Sequence, residues 1–225
     1  MYPNSELTAR SSAASVLSTN KVIRNTYMLL SVTLLFSALM AGVSMVVQVG
    51  HGVSMFCSLG AMALLWFVLP RTANSSAGIG VVFAITGLLG FGLGPVISAY
   101  LTMFSNGAQL VMTALGGTGI IFLGLSAYAL TTRKDFSFMA GFLMTGILVA
   151  FLAGLGAMIF SIPALALGVS AMFVLLMSAM ILFQTSQIVH GGETNYVLAT
   201  VSLYVAIYNL FLSLLQLLGA FSGDD

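Results

Sequence analysis

Residues 136–189 read FSFMAGFLMTGILVAFLAGLGAMIFSIPALALGVSAMFVLLMSAMILFQTSQIV, without one Lys, Arg, Asp or Glu. The stretch divides into two apolar segments, Phe136–Phe160 and Pro163–Ile188. Each is long enough to cross a hydrocarbon core of about 30 Å as a helix, which takes ~20 residues. A charge at the centre of such a helix costs roughly 2.5–3.5 kcal/mol, so the missing charges report the solvent: this part of the chain is built for lipid. Outward from it the pattern repeats. Further apolar segments run over Thr26–Gln48, Val53–Leu69, Gly78–Tyr100, Ala108–Leu130 and Tyr196–Gly219. The fold class predicted is an all-α membrane protein of seven transmembrane helices, in one domain. Residues 1–25 form a polar, disordered cytoplasmic tail in this reading, 26–221 the seven-span bundle, and 222–225 a short acidic end.

Composition agrees. The chain is 60% hydrophobic and only 5% charged, against about 25% charged in soluble domains. A net charge of +1 offers no basic footprint for nucleic acid. The single Cys57 allows no intrachain disulfide and suggests no metal cluster. The first 25 residues are rich in Ser, Thr and Asn and have no hydrophobic region of the kind a signal peptide carries.

Orientation follows from the basic residues. With the N-terminus in the cytoplasm, Arg10, Lys21, Arg24, Arg71, Arg133 and Lys134 all fall inside. The outer loops, near His51, Ser105 and Pro163, carry no Lys or Arg. That satisfies the positive-inside rule and places the C-terminal Asp224 and Asp225 outside. Short loops predict that sequence neighbours pack as antiparallel hairpins. Pro70 and Arg71 are expected to close the second span, with Trp66 near the headgroup level.

Three features invite a functional reading. In the third span Gly90 and Gly94 have the spacing that lets membrane helices approach closely, and Pro95 predicts a kink or break. This serves either packing or an ion path through a broken helix. Glycines at 116, 117 and 119, and Ala150 with Gly154, read as further close-packing surfaces. In the seventh span Ser202, Ala206, Asn209, Ser213 and Gln216 follow steps of four, three, four and three, hence one helical face. Amides left unpaired in lipid are costly, so this face looks into protein, as an interhelical hydrogen-bonding surface or as the lining of a site. Near the end of the sixth span Gln184, Gln187 and Gly191 share a face, and His190 and Glu193 sit three apart at the cytoplasmic surface, either solvated or as a proton-sensing pair. No acidic residue lies within a span, so neither paired-carboxylate nor zinc-dependent hydrolysis is expected. The chain reads as a non-enzyme with no cofactor.

Three stretches carry a resemblance: LSTNKVIRNTYMLLS at 17–31, SAYALTTRKDFSFMAGFLMTG at 126–146, and GGETNYVLATVSLYVAIYNLFLSLLQLLG at 191–219. They resemble the bacterial YccA-like branch of the Bax inhibitor-1 family over nearly the whole chain. The resemblance implies a seven-span inner-membrane bundle with the last helix central. It implies a role in binding and modulating the membrane-anchored AAA zinc protease FtsH, as part of membrane protein quality control under stress. The alternative it brings is the pH-sensitive calcium leak of other members, which use two buried aspartates. The matching positions here are Gln184 and Ala206, which cannot titrate, and calcium takes several oxygen ligands, mostly from carboxylates. Calcium is therefore not an expected partner, and the expected partners are the lipid bilayer and the protease.

Overall fold

The computed structural model describes residues 4–222, with side chains from Thr19 onward except that of His51; the acidic end at 223–225 lies outside the described residues. Seven helices are long and apolar enough to cross a membrane. We number them in chain order. Helix α1 spans Asn4–Val46, with its apolar portion at Thr19–Val46. Helix α2 joins three pieces, an α-helix His51–Ala63, a π-helical segment Leu64–Val68 and a last turn Leu69–Thr72. The others are α3 (Ala77–Met103), α4 (Gly107–Thr132), α5 (Ala140–Ile159, after a 3-10 turn Ser137–Met139), α6 (Pro163–Val189) and α7 (Tyr196–Ser222).

Several boundaries differ from the sequence reading, each for a local reason. The backbone of residues 4–18 continues α1, where the sequence reading places a disordered tail. That segment has no Gly or Pro and contains Leu7, Ala9, Ala13, Ala14 and Leu17. Extending an existing helix needs no new nucleation. Pro70 does not end α2. The helix widens first, with Leu69 N–H donating to Leu64 O five residues back, and Pro70 enters the final turn. Arg71 then donates from its guanidinium to Phe67 O. Pro95 does not break α3, which runs on to Met103.

The hairpin expectation holds only in part. Helices α6 and α7 pack together, as do α5 and α6, and α2 and α3. But α1 packs along α3 rather than along α2, and α4 packs along α7 and α6 rather than along α5. Glycine spacing explains the first exchange. A Cβ at Gly90 would lie 2.3 Å from Ser37 O, and one at Gly94 would lie 2.4 Å from Ser44 Oγ. The α3 backbone therefore sits directly on α1, as small residues four apart allow. In α4 the expectation of close packing fails at Gly116 and Gly119, which have open space around them; only Gly117 of the three meets a neighbour, Leu214.

Helix α7 is the most buried of the seven. Of its apolar window 61% is buried, against 50% for α3 and 17–28% for the rest. It packs along α6, α4, α1 and α3. The main core lies along it, around Leu203, Tyr204, Ala206 and Leu210, and a smaller cluster follows around Phe211 and Leu215.

Candidate functional site: a polar cleft and a tied basic end

The inward face of α7 is held by hydroxyl groups. Tyr204 is fully buried, and its Oη lies 2.5 Å from Ser37 Oγ on α1 and donates to Thr86 O on α3 at 3.3 Å. Thr200 Oγ1 donates to Tyr196 O at 2.7 Å and reaches Thr26 O at 3.3 Å. Tyr27 Oη and Thr185 Oγ1, 3.2 Å apart, link α1 to α6. Buried hydroxyls at membrane depth need such partners, because no water supplies them. Tyr204 sits on α7 beside the stripe read from the sequence, Ser202 to Gln216. Its partners lie more than 100 residues away in sequence, and no local pattern points to them.

The α7 stripe is divided between two surroundings. Asn209, Ser213 and Gln216 line a cleft of about 510 Å³ between α5, α6 and α7, together with Ser170 and the turn at Ser161–Pro163. Ser170 Oγ donates to Gln216 Oε1 at 2.8 Å, and Asn209 Nδ2 donates to Val205 O of its own helix at 2.8 Å. Ala206 and Ser202, about one and two turns before Asn209, are not part of the cleft. Ala206 is buried in the core. Gln184 is half-buried on α6, its Nε2 3.9 Å from Met180 Sδ, and the Gln187 side-chain oxygen lies over Gly192.

At the other end of the bundle three loops are tied to one another. Asn195 caps α7, its Oδ1 accepting from Val197 N–H at 2.9 Å and Leu198 N–H at 3.3 Å. Its Nδ2 donates to Ala73 O at 3.0 Å and to Asn74 Oδ1 at 2.8 Å, which joins the α6–α7 loop to the α2–α3 loop. His190 joins the α4–α5 loop to α6. Its Nε2 lies 3.0 Å from Arg133 O and its Nδ1 2.9 Å from Ser186 O. Ser186 Oγ in turn donates to Lys134 O at 3.1 Å and accepts from Phe136 N–H at 3.0 Å. Arg133 ends α4 in the left-handed conformation, φ 49°. His190 and Glu193 therefore act separately: Glu193 Oε1 accepts from Asn195 N–H at 2.8 Å, within its own loop. Asp135 accepts from Ser137 N–H at 2.8 Å. That backbone contact first, then the Ser137 hydroxyl and the nearby His190, hold its carboxyl below the usual range. An Asn directly before an apolar helical run is a recognised start signal, so the cap at Asn195 was readable in sequence; its second role as a tie between loops was not.

The ties have one geometric consequence. Arg71, Arg133 and Lys134 lie at the same end of the bundle and are exposed there. The opposite end carries the turn at Ser161–Pro163 and the contact of Asn106 Nδ2 with Ser222 Oγ at 2.6 Å, and has no Lys or Arg in its loops. Among the described residues no group of three or more His, Cys, Asp or Glu is placed to hold a metal ion.

Comparison with known proteins gives consistent matches. The family described as "Inhibitor of apoptosis-promoting Bax1" matches residues 19–223. A protein of Escherichia coli strain K12 named "Modulator of FtsH protease YccA" is 49% identical over 210 residues, 93% of this chain and 94% of its own. A protein of E. coli O6:H1 named "Inner membrane protein YccA" matches to the same degree. An uncharacterised membrane protein of Vibrio cholerae is 44% identical over 218 residues, 97% of each chain.

Proposed function

This chain belongs to the Bax inhibitor-1 family, and on that premise we propose that it is an inner-membrane regulator that binds the protease FtsH and modulates it. The observation that carries the reading is the 49% identity, over nearly the full length of both chains, to the protein named as a modulator of that protease. It is a regulator rather than an enzyme in this reading.

In this reading the basic end of the bundle faces the cytoplasm, in keeping with the positive-inside rule, and the C-terminus faces the periplasm. An ATP-driven protease anchored in the same membrane meets the chain from that side. The polar N-terminal segment, residues 1–18, is the handle within its reach. The bundle resists extraction in this reading, because α7, its most buried helix, is joined to α1 and α3 by buried hydrogen bonds and to α6 by a half-buried one, and these must break together. A handle without an extractable body is the character of a restraint rather than of a substrate.

The calcium-leak reading has less support. No ionisable side chain lines the cleft, and intramembrane ion paths are marked by such residues. At the two positions that matter in leaking members stand Gln184, half-buried, and Ala206, in the core. The test of the favoured reading is co-purification from inner membranes in mild detergent, with identification of partners by mass spectrometry. FtsH should be retained at a level well above that of abundant unrelated membrane proteins. Its absence, while the chain itself is recovered folded, would remove the reading.

A further inference from the structure

His190 sits between two helix ends, and both of its ring nitrogens face acceptors. Nδ1 lies 2.9 Å from Ser186 O, in the last turn of α6, and Nε2 lies 3.0 Å from Arg133 O, at the C-terminal cap of α4. Ser186 O also accepts the His190 backbone N–H at 3.0 Å, so its second lone pair serves the ring. The remaining neighbour is the Ser186 hydroxyl, 3.4 Å from Nδ1. Its one hydrogen is directed at Lys134 O, 3.1 Å away, and its oxygen accepts from Phe136 N–H at 3.0 Å. It has no proton left to offer the ring. A neutral imidazole carries one N–H and one bare nitrogen, whereas the imidazolium carries two N–H groups. Only the imidazolium donates to both carbonyls. In either neutral tautomer a bare nitrogen would meet a carbonyl oxygen at 2.9–3.0 Å, lone pair against lone pair.

The charges around the ring decide whether a cation is welcome there. Ser186 O and Arg133 O are terminal carbonyls of their helices and carry the negative end of the helix dipoles, where a cation is stabilised. Asp135 is the carboxylate nearest the ring, but it is fully exposed and bonded to Ser137 N–H, so water screens its pull. Glu193, in the loop after α6, is spent on Asn195 N–H. The opposing charges are Arg133 and Lys134 in the α4–α5 loop, and Lys21 and Arg24 on α1. All four of those side chains are exposed, and their repulsion is screened as well. What remains is the pair of carbonyls in direct contact with the ring.

We propose that His190 is a proton-dependent clip: the doubly protonated ring pins the α4–α5 loop to the end of α6, and loss of one proton releases the turn at Arg133. The pinned state holds a proton that the released state gives up, so acid favours pinning and rising pH favours release. Imidazole is the side chain whose charge ordinarily changes between about pH 5 and 8, which puts the clip in the range of cellular pH. The Ser186 hydroxyl keeps Lys134 O and Phe136 N–H in both states, because none of these groups titrates. Release is therefore confined to the turn around Arg133 and to the direction in which its guanidinium points. The basic face of the bundle is rearranged by the pH on its own side of the membrane. This inference stands apart from the protease reading, since it concerns the loop and the ring alone.

The experiment uses the full chain in nanodiscs and two readouts. The chain has two histidines, His51 and His190, so nitrogen-15 NMR of histidine-labelled protein gives two ring spectra, and the one missing in His190→Gln belongs to His190. At about pH 6 that ring should show two protonated nitrogens, passing to one as pH rises. Separately, a nitroxide on Arg133→Cys in a Cys57→Ser background reports the turn, since the ring contacts only the backbone of Arg133. Its ratio of mobile to immobile signal should rise with pH, by no more than tenfold per pH unit, the limit for one proton. His190→Gln should abolish that rise, and Asp135→Asn should keep it. Thermal unfolding of each variant confirms that the bundle is intact. A His190 ring with a bare nitrogen at about pH 6 would overturn the clip. So would nitroxide mobility that ignores the ring's titration, a rise that persists in folded His190→Gln, or one lost in folded Asp135→Asn.

Discussion

Replacing Gly90 by Ala tests how the bundle is held. A Cβ there would lie 2.3 Å from Ser37 O, 2.6 Å from Ser37 Oγ and 2.7 Å from Ser37 Cα. Two of these atoms are backbone, so no rotamer change relieves the contact and α1 must move away from α3 by about 1 Å or more to restore ordinary van der Waals separation. Overpacking of this kind costs about 1–3 kcal/mol. The same movement stretches the 2.5 Å contact between Ser37 and Tyr204, and a hydrogen bond between membrane helices is worth about 0.6 kcal/mol on average. Against this, Ala in place of Gly favours the helix by up to about 1 kcal/mol. The expected net loss is about 2 kcal/mol, roughly thirtyfold in the folding equilibrium. Gly116→Ala is the control, because nothing lies within 4 Å of its Cβ position, and only the helix term applies there. Reversible unfolding in mixed micelles, followed by tryptophan fluorescence or by steric trapping, gives both values. Equal stability of Gly90→Ala and the parent, or an equal loss in Gly116→Ala, would refute the close α1–α3 contact.

Three other outcomes follow. In a Cys57→Ser background, a Ser161→Cys variant should react with a membrane-impermeant thiol reagent in intact cells with a permeabilised outer membrane, and an Asn74→Cys variant only after lysis; the reverse pattern would invert the orientation. Asp135 has a depressed carboxyl pKa, so the stability it provides is complete above the unfolded value near ~3.9 and is lost as pH falls through the lower folded value. Asp135→Asn should therefore be less stable than the parent by a constant amount between about pH 5 and 8, and the difference should shrink below about pH 4; no difference near neutrality, or one that grows as the pH falls, would contradict the Ser137 contact as its cause. In liposomes the protein should pass little calcium, without a sharp change between about pH 6 and 8, since neither Gln184 nor Ala206 titrates; Gln184→Asp with Ala206→Asp should introduce a coupled titration. A large pH-gated flux through the unmodified chain would favour the channel reading instead.

The seven spans were legible because charge in lipid is expensive: every Lys, Arg, Asp and Glu marks a place the chain leaves the hydrocarbon. The packing partners were less so. Short loops made α1 and α2 natural neighbours, yet Gly90 and Gly94 drew α1 onto α3. The same glycine signal misled in α4, since small residues permit close approach without requiring it, and Gly116 and Gly119 stand open. The α7 stripe is divided: Asn209, Ser213 and Gln216 line one cleft, and Ser202 and Ala206 do not. From Ser202 to Gln216 it runs about 20 Å along the helix, and the neighbours change over that length, core around Ala206 and cleft around Ser213. His190 and Glu193 were close in sequence but found better partners in Arg133 O and Asn195 N–H, because backbone groups at helix ends are left unpaired and attract polar side chains.

The central claim is that this protein restrains FtsH. The direct measurement is the rate at which purified FtsH, co-reconstituted in proteoliposomes with ATP, degrades a membrane-protein reporter in the presence and absence of an equimolar amount of this chain. The rate is predicted to fall while this chain stays intact. An unchanged rate with both proteins folded and in the same vesicles, or rapid degradation of this chain itself, would contradict the account.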